Sequence, residues 1–274
     1  MTQLILIRHG QSQWNLENRF TGFHDIGLTK TGLKEAAKAA KLIKKEGITL
    51  DVGFTSFQRR AIKTLWLTLE GIDQLHIPVT KSWLLNERHY GALTGLNKQE
   101  TRDKHGDEQV HIWRRSFDVP PPQLDESSEF HPSKDPKYKH IAPDLLPTGE
   151  SLKMTTERVL PYFKDQVVPH LKAGSNVIIS AHGNSLRAIL KEIFDVPDAD
   201  IPGFEFPTGN PLLIDMKHGT LDITAARYLD ESRAKELPDV GGETKAKPKK
   251  TATAKKKPAP KKTIKKKPAK KKSA

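Results

Sequence analysis

The chain has 274 residues with 46 Lys and Arg against 33 Asp and Glu, a formal net charge of +13, and no cysteine. Disulfide scaffolds, thiolate metal sites and cysteine nucleophiles are thereby excluded, and no apolar run approaches the roughly 20 residues that span a bilayer. The charge is lopsided: Gly241 to Ala274 holds fifteen Lys and one acid, Glu243, leaving 31 basic and 32 acidic side chains in the first 240 residues. A near-neutral body large enough to bury a core carries a polycationic tail. The run Leu4–Ile7 is too short for a signal-peptide core and is followed at once by Arg8. A cytoplasmic protein with no membrane partner is the expectation.

Leu4 to Ile7 is a continuous apolar run with β-branched members, the pattern of a strand covered on both faces. Leu33, Ala36, Ala37, Ala40 and Ile43 then recur at helical spacing up to Gly47. Val52–Phe54 reads as a second strand, Ala61, Ile62, Leu65 and Leu69 as a helix running toward Gly71, and His76–Val79 as a third, shorter strand. Between Trp83 and Gly149 the alternation breaks down into Pro-rich, charged and aromatic sequence, predicting one long irregular insertion that serves as lid, binding loop or interface. Regularity returns with a helix over Val159–Leu171, a buried strand at Val177–Ile179, a helix marked by Leu186, Ile189, Leu190 and Ile193, and two further strands at Leu212–Ile214 and Ile223–Tyr228. Strands alternating with helices predict a three-layer α/β domain over residues 1–232, with a mainly parallel sheet and helices on both faces.

Two tripeptides stand where such a fold binds ligands, at the carboxyl ends of strands. Arg8-His9-Gly10 follows the first strand and Ala181-His182-Gly183 follows Val177–Ile179. Either His alone reads as an ordinary strand-end residue bonded to a loop carbonyl; the matched pair predicts two imidazoles facing one crevice, with glycines allowing close approach. Arg59 and Arg60 lie just after the second strand, at a predicted helix start. By themselves they read as a solvated pair on a helix surface; at a strand end, where a guanidinium fork and a helix N-terminus both suit phosphate oxygens, one of them is a candidate phosphate ligand.

These motifs, set within six sequence blocks, carry a resemblance to a known family. Arg8–Asn15 (RHGQSQWN), Phe20–Gly22 (FTG), Thr55–Thr64 (TSFQRRAIKT), Asn86–Lys98 (NERHYGALTGLNK), Gly106–Pro122 (GDEQVHIWRRSFDVPPP) and Ser180–Arg187 (SAHGNSLR) resemble, in order and separation, the histidine phosphatase superfamily. More specifically they resemble its 2,3-bisphosphoglycerate-dependent phosphoglycerate mutases, over about residues 1–230. The resemblance implies that His9 is the nucleophile that becomes phosphohistidine through its far ring nitrogen, and that His182 stabilises the transferring phosphoryl group. Arg8, Arg60, Asn15 and the amide of Gly183 complete that pocket, and Glu87 is the general acid/base. Arg88, His89, Tyr90, Lys98, Arg114 and Arg115 hold the carboxylate and remaining phosphate, with Ser12, Thr21, Gly22 and Asn184 as further binding positions. Taken alone, Glu87 reads equally as an exposed acid paired with Arg88 or Lys98. The implied primer is 2,3-bisphosphoglycerate with no metal, the implied substrates are the phosphoglycerates of glycolysis and gluconeogenesis, and the implied assembly is a homodimer or homotetramer.

Two departures from the family pattern stand out: Gln11 and Gln13 occupy positions where relatives carry Glu, and Gly27 one where they carry Pro. The extra clamp between Glu87 and Arg115 favours a mutase over a simpler histidine-type phosphatase or bisphosphoglycerate phosphatase. Within the tail, residues 241–274, the stretch from Lys245 is almost entirely Lys, Ala, Pro and Thr with one Ile and no aromatic, a composition predicting disorder. It resembles linker-histone tails and suits either weak, salt-sensitive binding of nucleic acid or another polyanion, or a merely solubilising role. The alternative function class is therefore a polyanion-binding protein acting through its tail over a vestigial enzyme body.

Overall fold

The computed structural model describes residues 1–238; the tail expected to be disordered over 241–274 lies outside the described residues. The first strand, β1 (Thr2–Arg8), shows why the sheet is central: Leu4 and Leu6 enter one buried apolar cluster and Ile5 and Ile7 another, on opposite faces. After a one-turn helix α1 (Gln13–Leu16) come α2 (Lys30–Glu46), β2 (Val52–Thr55), α3 (Arg59–Gly71) and the edge strand β3 (Val79–Lys81). Within the insertion lie α4 (Lys98–His105) and α5 (Asp107–Arg115). The chain then returns through α6 (Leu152–Tyr162), a π-helical stretch at Phe163–Val167, α7 (Val168–Lys172), β4 (Val177–Ala181), α8 (Gly183–Phe194), β5 (Leu212–Met216) and β6 (Ile223–Tyr228).

The six strands form one sheet in the order β3-β2-β4-β1-β5-β6. β3, β2, β4 and β1 are parallel, whereas β5 runs antiparallel to both of its neighbours. Buried residues of α2 and α3 cover one face and those of α6 and α8 the other. This is the mainly parallel three-layer α/β arrangement expected. Among the described residues no helix is long and apolar enough to cross a membrane.

Local details differ from expectation for identifiable reasons. On α2 the buried stripe is Gly32, Ala36, Ala39, Ala40 and Ile43, while Leu33 and Ala37 face solvent. The sequence pattern was rotated because the apolar Leu33 outweighs Gly32, whose lack of a side chain is what lets the helix start approach the sheet. The third strand begins only at Val79, since Pro78 has no amide to give a ladder; its carbonyl accepts from Gly53. The helix expected from Val159 starts at Leu152, where the Ser151 hydroxyl caps Met154 N–H at 3.1 Å. Pro161 and Pro169 each remove a donor from it, and the π-helical stretch lies between them. Finally, Lys98–Arg115 is helical rather than irregular, although 3₁₀ turns and loops dominate the rest of the insertion.

Candidate active site

The site is built on sheet register. Arg8 pairs with Ala181 across β1 and β4, and Thr55 pairs with Ser180 across β2 and β4. The residues that follow Arg8 and Ala181, His9 and His182, are therefore level, and Ser56, which follows Thr55, lies one residue short of His182 at the end of the third adjacent parallel strand. The ring centroids of His9 and His182 are 5.0 Å apart, close to the spacing of neighbouring strands. Both are buried. Gly10 makes room for the turn after His9: a Cβ there would lie 2.4 Å from the Gly32 carbonyl oxygen, so the start of α2 packs directly on the backbone.

The chemistry of His9 follows from one hydrogen bond. Its Nδ1 lies 2.7 Å from the Gly10 carbonyl oxygen. A carbonyl only accepts, so Nδ1 carries the proton and the Nε2 lone pair is left free. Burial, then the charges of Arg60 and Arg8, hold the His9 pKa well below its ordinary value, which keeps the ring neutral and nucleophilic. His182 is likewise pushed down by burial and by Arg60.

Two guanidinium groups and one carboxylate stand closest to the pair. Arg60, buried at the first turn of α3, donates to the carbonyls of Gly22 and His24 at 2.9 Å each, and burial brings its pKa down to about 10. Arg59 instead pairs at the surface with Asp25. Arg8 donates from Nη1 to the Phe206 carbonyl at 2.9 Å. Glu87 Oε1 accepts from the amides of Arg88 (2.9 Å) and Asn184 (3.1 Å) and from Asn184 Nδ2 (2.8 Å). Burial opposes its ionisation, but these bonds together with Arg8 and Arg60 outweigh burial and hold its carboxyl below the ordinary range. Glu87 is thus a carboxylate at neutral pH, not the exposed surface acid that its sequence position alone allows.

Two cavities open beside the histidines. The inner one, about 60 Å³, is lined by His9, Asn15, Thr21 and Arg60 among others. The outer one, about 300 Å³, presents six cationic side chains, Arg8, Lys98, Arg114, Arg115, Arg187 and Lys235, against the two carboxylates of Glu87 and Glu205. Tyr90, Gly183 and Asn184 also line it. Such a surplus of fixed cations suits a small molecule with several negative charges. Buried nitrogens without a protein partner point the same way: Arg8 Nε, Arg88 Nε and Nη1, and His182 Nδ1. The donor set therefore fits phosphate and carboxylate oxygens.

Five residues expected at the site do not line either cavity. Ser12 caps α1, and Gly22 offers its carbonyl to Arg60 and Gln58. Arg88 stacks 4.7 Å from the Tyr90 ring and donates to the carbonyls of Trp113 and Arg114. His89 packs 5.1 Å from Phe23 and accepts from Gly91 N–H. His182 stands behind His9, fully buried.

Sequence reasoning missed other participants. Arg187 lies one helical turn beyond Gly183, a spacing that puts both on one face of α8, and its Nη1 donates to Asn184 Oδ1 at 3.2 Å. Arg158 pairs with Glu150 in a buried ion pair of 2.7 Å and donates to the carbonyls of Leu84, Asn86 and Glu87, clamping the segment that carries Glu87. Arg19 lines the inner cavity, and Glu205 and Lys235 the outer one; these had no pattern to betray them.

The class is shown by the histidine phosphatase superfamily (branch 1) model, which matches residues 4–134 and 125–227. Among solved structures the chain is similar in fold to a mycobacterial glucosyl-3-phosphoglycerate phosphatase, with a TM-score of 0.62 at 20% identity over 83% of this chain and 97% of that one. Closer relatives narrow the class. The chain is 58% identical over 241 residues to the 2,3-bisphosphoglycerate-dependent phosphoglycerate mutase of Caulobacter vibrioides, covering 88% of this chain and all of the relative. It is 61% identical over 213 residues to the enzyme of the same name from Erythrobacter litoralis, covering 78% and 92%. The chain belongs to the family of 2,3-bisphosphoglycerate-dependent phosphoglycerate mutases within the histidine phosphatase superfamily.

Proposed function

We propose that the protein interconverts 3-phosphoglycerate and 2-phosphoglycerate through a phosphohistidine at His9. The observation that carries this reading is the neutral His9, its Nε2 free, set 5.0 Å from His182 beside a cavity with six cationic side chains. When bound, 2,3-bisphosphoglycerate supplies the phosphoryl group that primes the enzyme. Arg8, Arg60, Asn15 and the amide of Gly183 are the groups to hold that phosphoryl, with Lys98, Tyr90, Arg114 and Arg115 for the carboxylate and second phosphate.

In each transfer the Nε2 lone pair of His9 forms the N–P bond as the bond from phosphorus to the substrate oxygen breaks, and the reverse step restores the free imidazole. Glu87 moves the proton. As the carboxylate it takes the hydroxyl proton of the accepting oxygen, and as the acid it returns that proton to the oxygen that leaves. Arg60 and Arg8 offset the charge that spreads over the phosphoryl oxygens.

The clamp of Tyr90, Lys98, Arg114 and Arg115 supports a mutase over a phosphatase, because a second anionic group must be retained while water is kept from the phosphohistidine. A coupled assay for 3-phosphoglycerate conversion tests the activity. Mass spectrometry after brief exposure to the bisphosphate tests the carrier, by an acid-labile phosphate on His9. Phosphate release without isomerisation would favour the phosphatase reading.

Glycolytic substrates support a cytoplasmic location. A homo-oligomer is supported by the exposed Trp66, Leu75 and Val79 grouped along the edge strand β3, an apolar surface suited to a second copy of the chain. Light scattering tests this, and a monomer at all concentrations would oppose it. For the tail we propose weak polyanion binding, tested by salt-dependent retention on heparin of full-length and 1–240 protein.

A further inference from the structure

Ser56 has no part in the chemistry above, yet it is fully buried at the end of β2 with its Oγ 2.8 Å from His182 Nε2. Two arrangements fit that distance: the hydroxyl donates to a bare Nε2, or a protonated Nε2 donates to the hydroxyl oxygen. The surroundings decide between them. Ser56 Oγ already accepts from the Gln58 amide at 3.1 Å. A serine hydroxyl has one hydrogen, and among the described residues the only acceptor bonded to this one is His182 Nε2. Turning the bond around would leave a buried hydroxyl hydrogen without a partner, a cost of about 1–3 kcal/mol.

The other ring nitrogen gives the second argument. His182 Nδ1 is buried and has no partner among the described residues, and its ring lies against His9 where the phosphoryl group is carried. A bare lone pair there would face phosphoryl oxygens and repel them, whereas an N–H would donate to them. Burial and the charges of Arg60, His9 and Arg8 keep the ring from holding both protons in the free enzyme. A neutral imidazole has one proton to place, so its position matters.

We propose that Ser56 is a positioning residue: by donating its hydroxyl hydrogen to Nε2 it fixes neutral His182 as the Nδ1–H tautomer, with that N–H as a donor to the transferring phosphoryl group. The first half concerns the free enzyme alone; the second rests on the phosphohistidine reading above. Sheet register makes the arrangement: Thr55 pairs with Ser180, so Ser56 at the end of β2 lies beside the Ala181–His182 end of β4.

The test is nitrogen NMR of the full chain labelled with 15N-histidine at pH 7.5, with His182 identified by difference against His182→Gln. The expected spectrum has Nδ1 in the protonated range and Nε2 in the unprotonated range. In Ser56→Ala the two forms interconvert or the proton moves to Nε2. That variant is expected to lose about tenfold or more in kcat, with KM changed less than about twofold, because the lost donor acts on the transferring group. Ser56→Thr, which keeps the hydroxyl, restores both signature and rate. A wild-type His182 protonated at Nε2, or a Ser56→Ala protein with wild-type kcat, overturns the proposal. The wild-type spectrum holds even if a variant fails to fold. Absence of isomerase activity in wild type would instead strike the function reading and leave the tautomer assignment standing.

Discussion

Asn184 holds Glu87 twice, once through its backbone amide at 3.1 Å and once through its side-chain amide at 2.8 Å, both to Oε1. An amide N–H bonds the ionised acid more strongly than the neutral one, so this side-chain bond is one of the forces keeping that carboxyl below its ordinary pKa. Asn184→Ala removes it. The expected result is a rise in the Glu87 pKa, seen as an acid limb of kcat/KM displaced to higher pH. An unmoved limb would show that Asn184 does not set the protonation of Glu87.

The buried Arg158–Glu150 pair makes a stability prediction. Arg158→Met leaves the Glu150 carboxylate, which is only 2% exposed, without its counter-charge, and strips donors from the carbonyls of Leu84, Asn86 and Glu87. Breaking a buried pair in this way costs about 3–5 kcal/mol. Denaturant titration is expected to show that loss. The double variant Arg158→Met with Glu150→Gln should recover part of it, though not the catalytic rate, because the Glu87 segment stays unclamped.

How much of this was legible beforehand differs by residue. His9 and His182 announced themselves because each ends an apolar strand and precedes a glycine. Ser56 did not, since its partner is fixed by β2 lying next to β4, an order that no local pattern reveals. Helices α4 and α5 were missed because α4 buries only Thr101 and α5 only Val110, which gives no periodicity to detect. Arg158 reads as an ordinary exposed helical arginine; only the approach of the Trp83–Glu87 segment buries it. On α2 a glycine took the place that hydrophobicity would assign to Leu33.

Low pH should destabilise the fold through its neutral histidines. His9 and His182 lie well below their ordinary pKa through burial, and burial followed by the Arg158 charge takes His89 to about 3. The unfolded chain binds their protons as pH falls through about 6.5 while the folded chain does not, so stability drops on that side and is retained above it. Each such group contributes a slope of up to about 1.4 kcal/mol per pH unit. Unfolding free energies between pH 7.5 and 5.5 are expected to fall, and His89→Gln should flatten the slope by up to one proton.

Arg187 should matter for binding more than for turnover. It lines the outer cavity beside Arg114 and Arg115 and is partly buried. Losing one charge-assisted contact to an anionic substrate corresponds to about 10–100-fold in affinity. Arg187→Met is expected to raise KM by that order with a smaller change in kcat, and steady-state kinetics at fixed ionic strength will read it. A change confined to kcat would assign it instead to holding Asn184.

The level alignment of the ends of β1 and β4 ties enzymatic output to the fidelity of sheet assembly. Were β4 to join the sheet one position out of step, its alternating side chains would swap faces and His182 would no longer sit level with His9. Refolded material carrying such an error would keep its circular dichroism and still turn over nothing, so specific activity is the sharper assay of correct refolding.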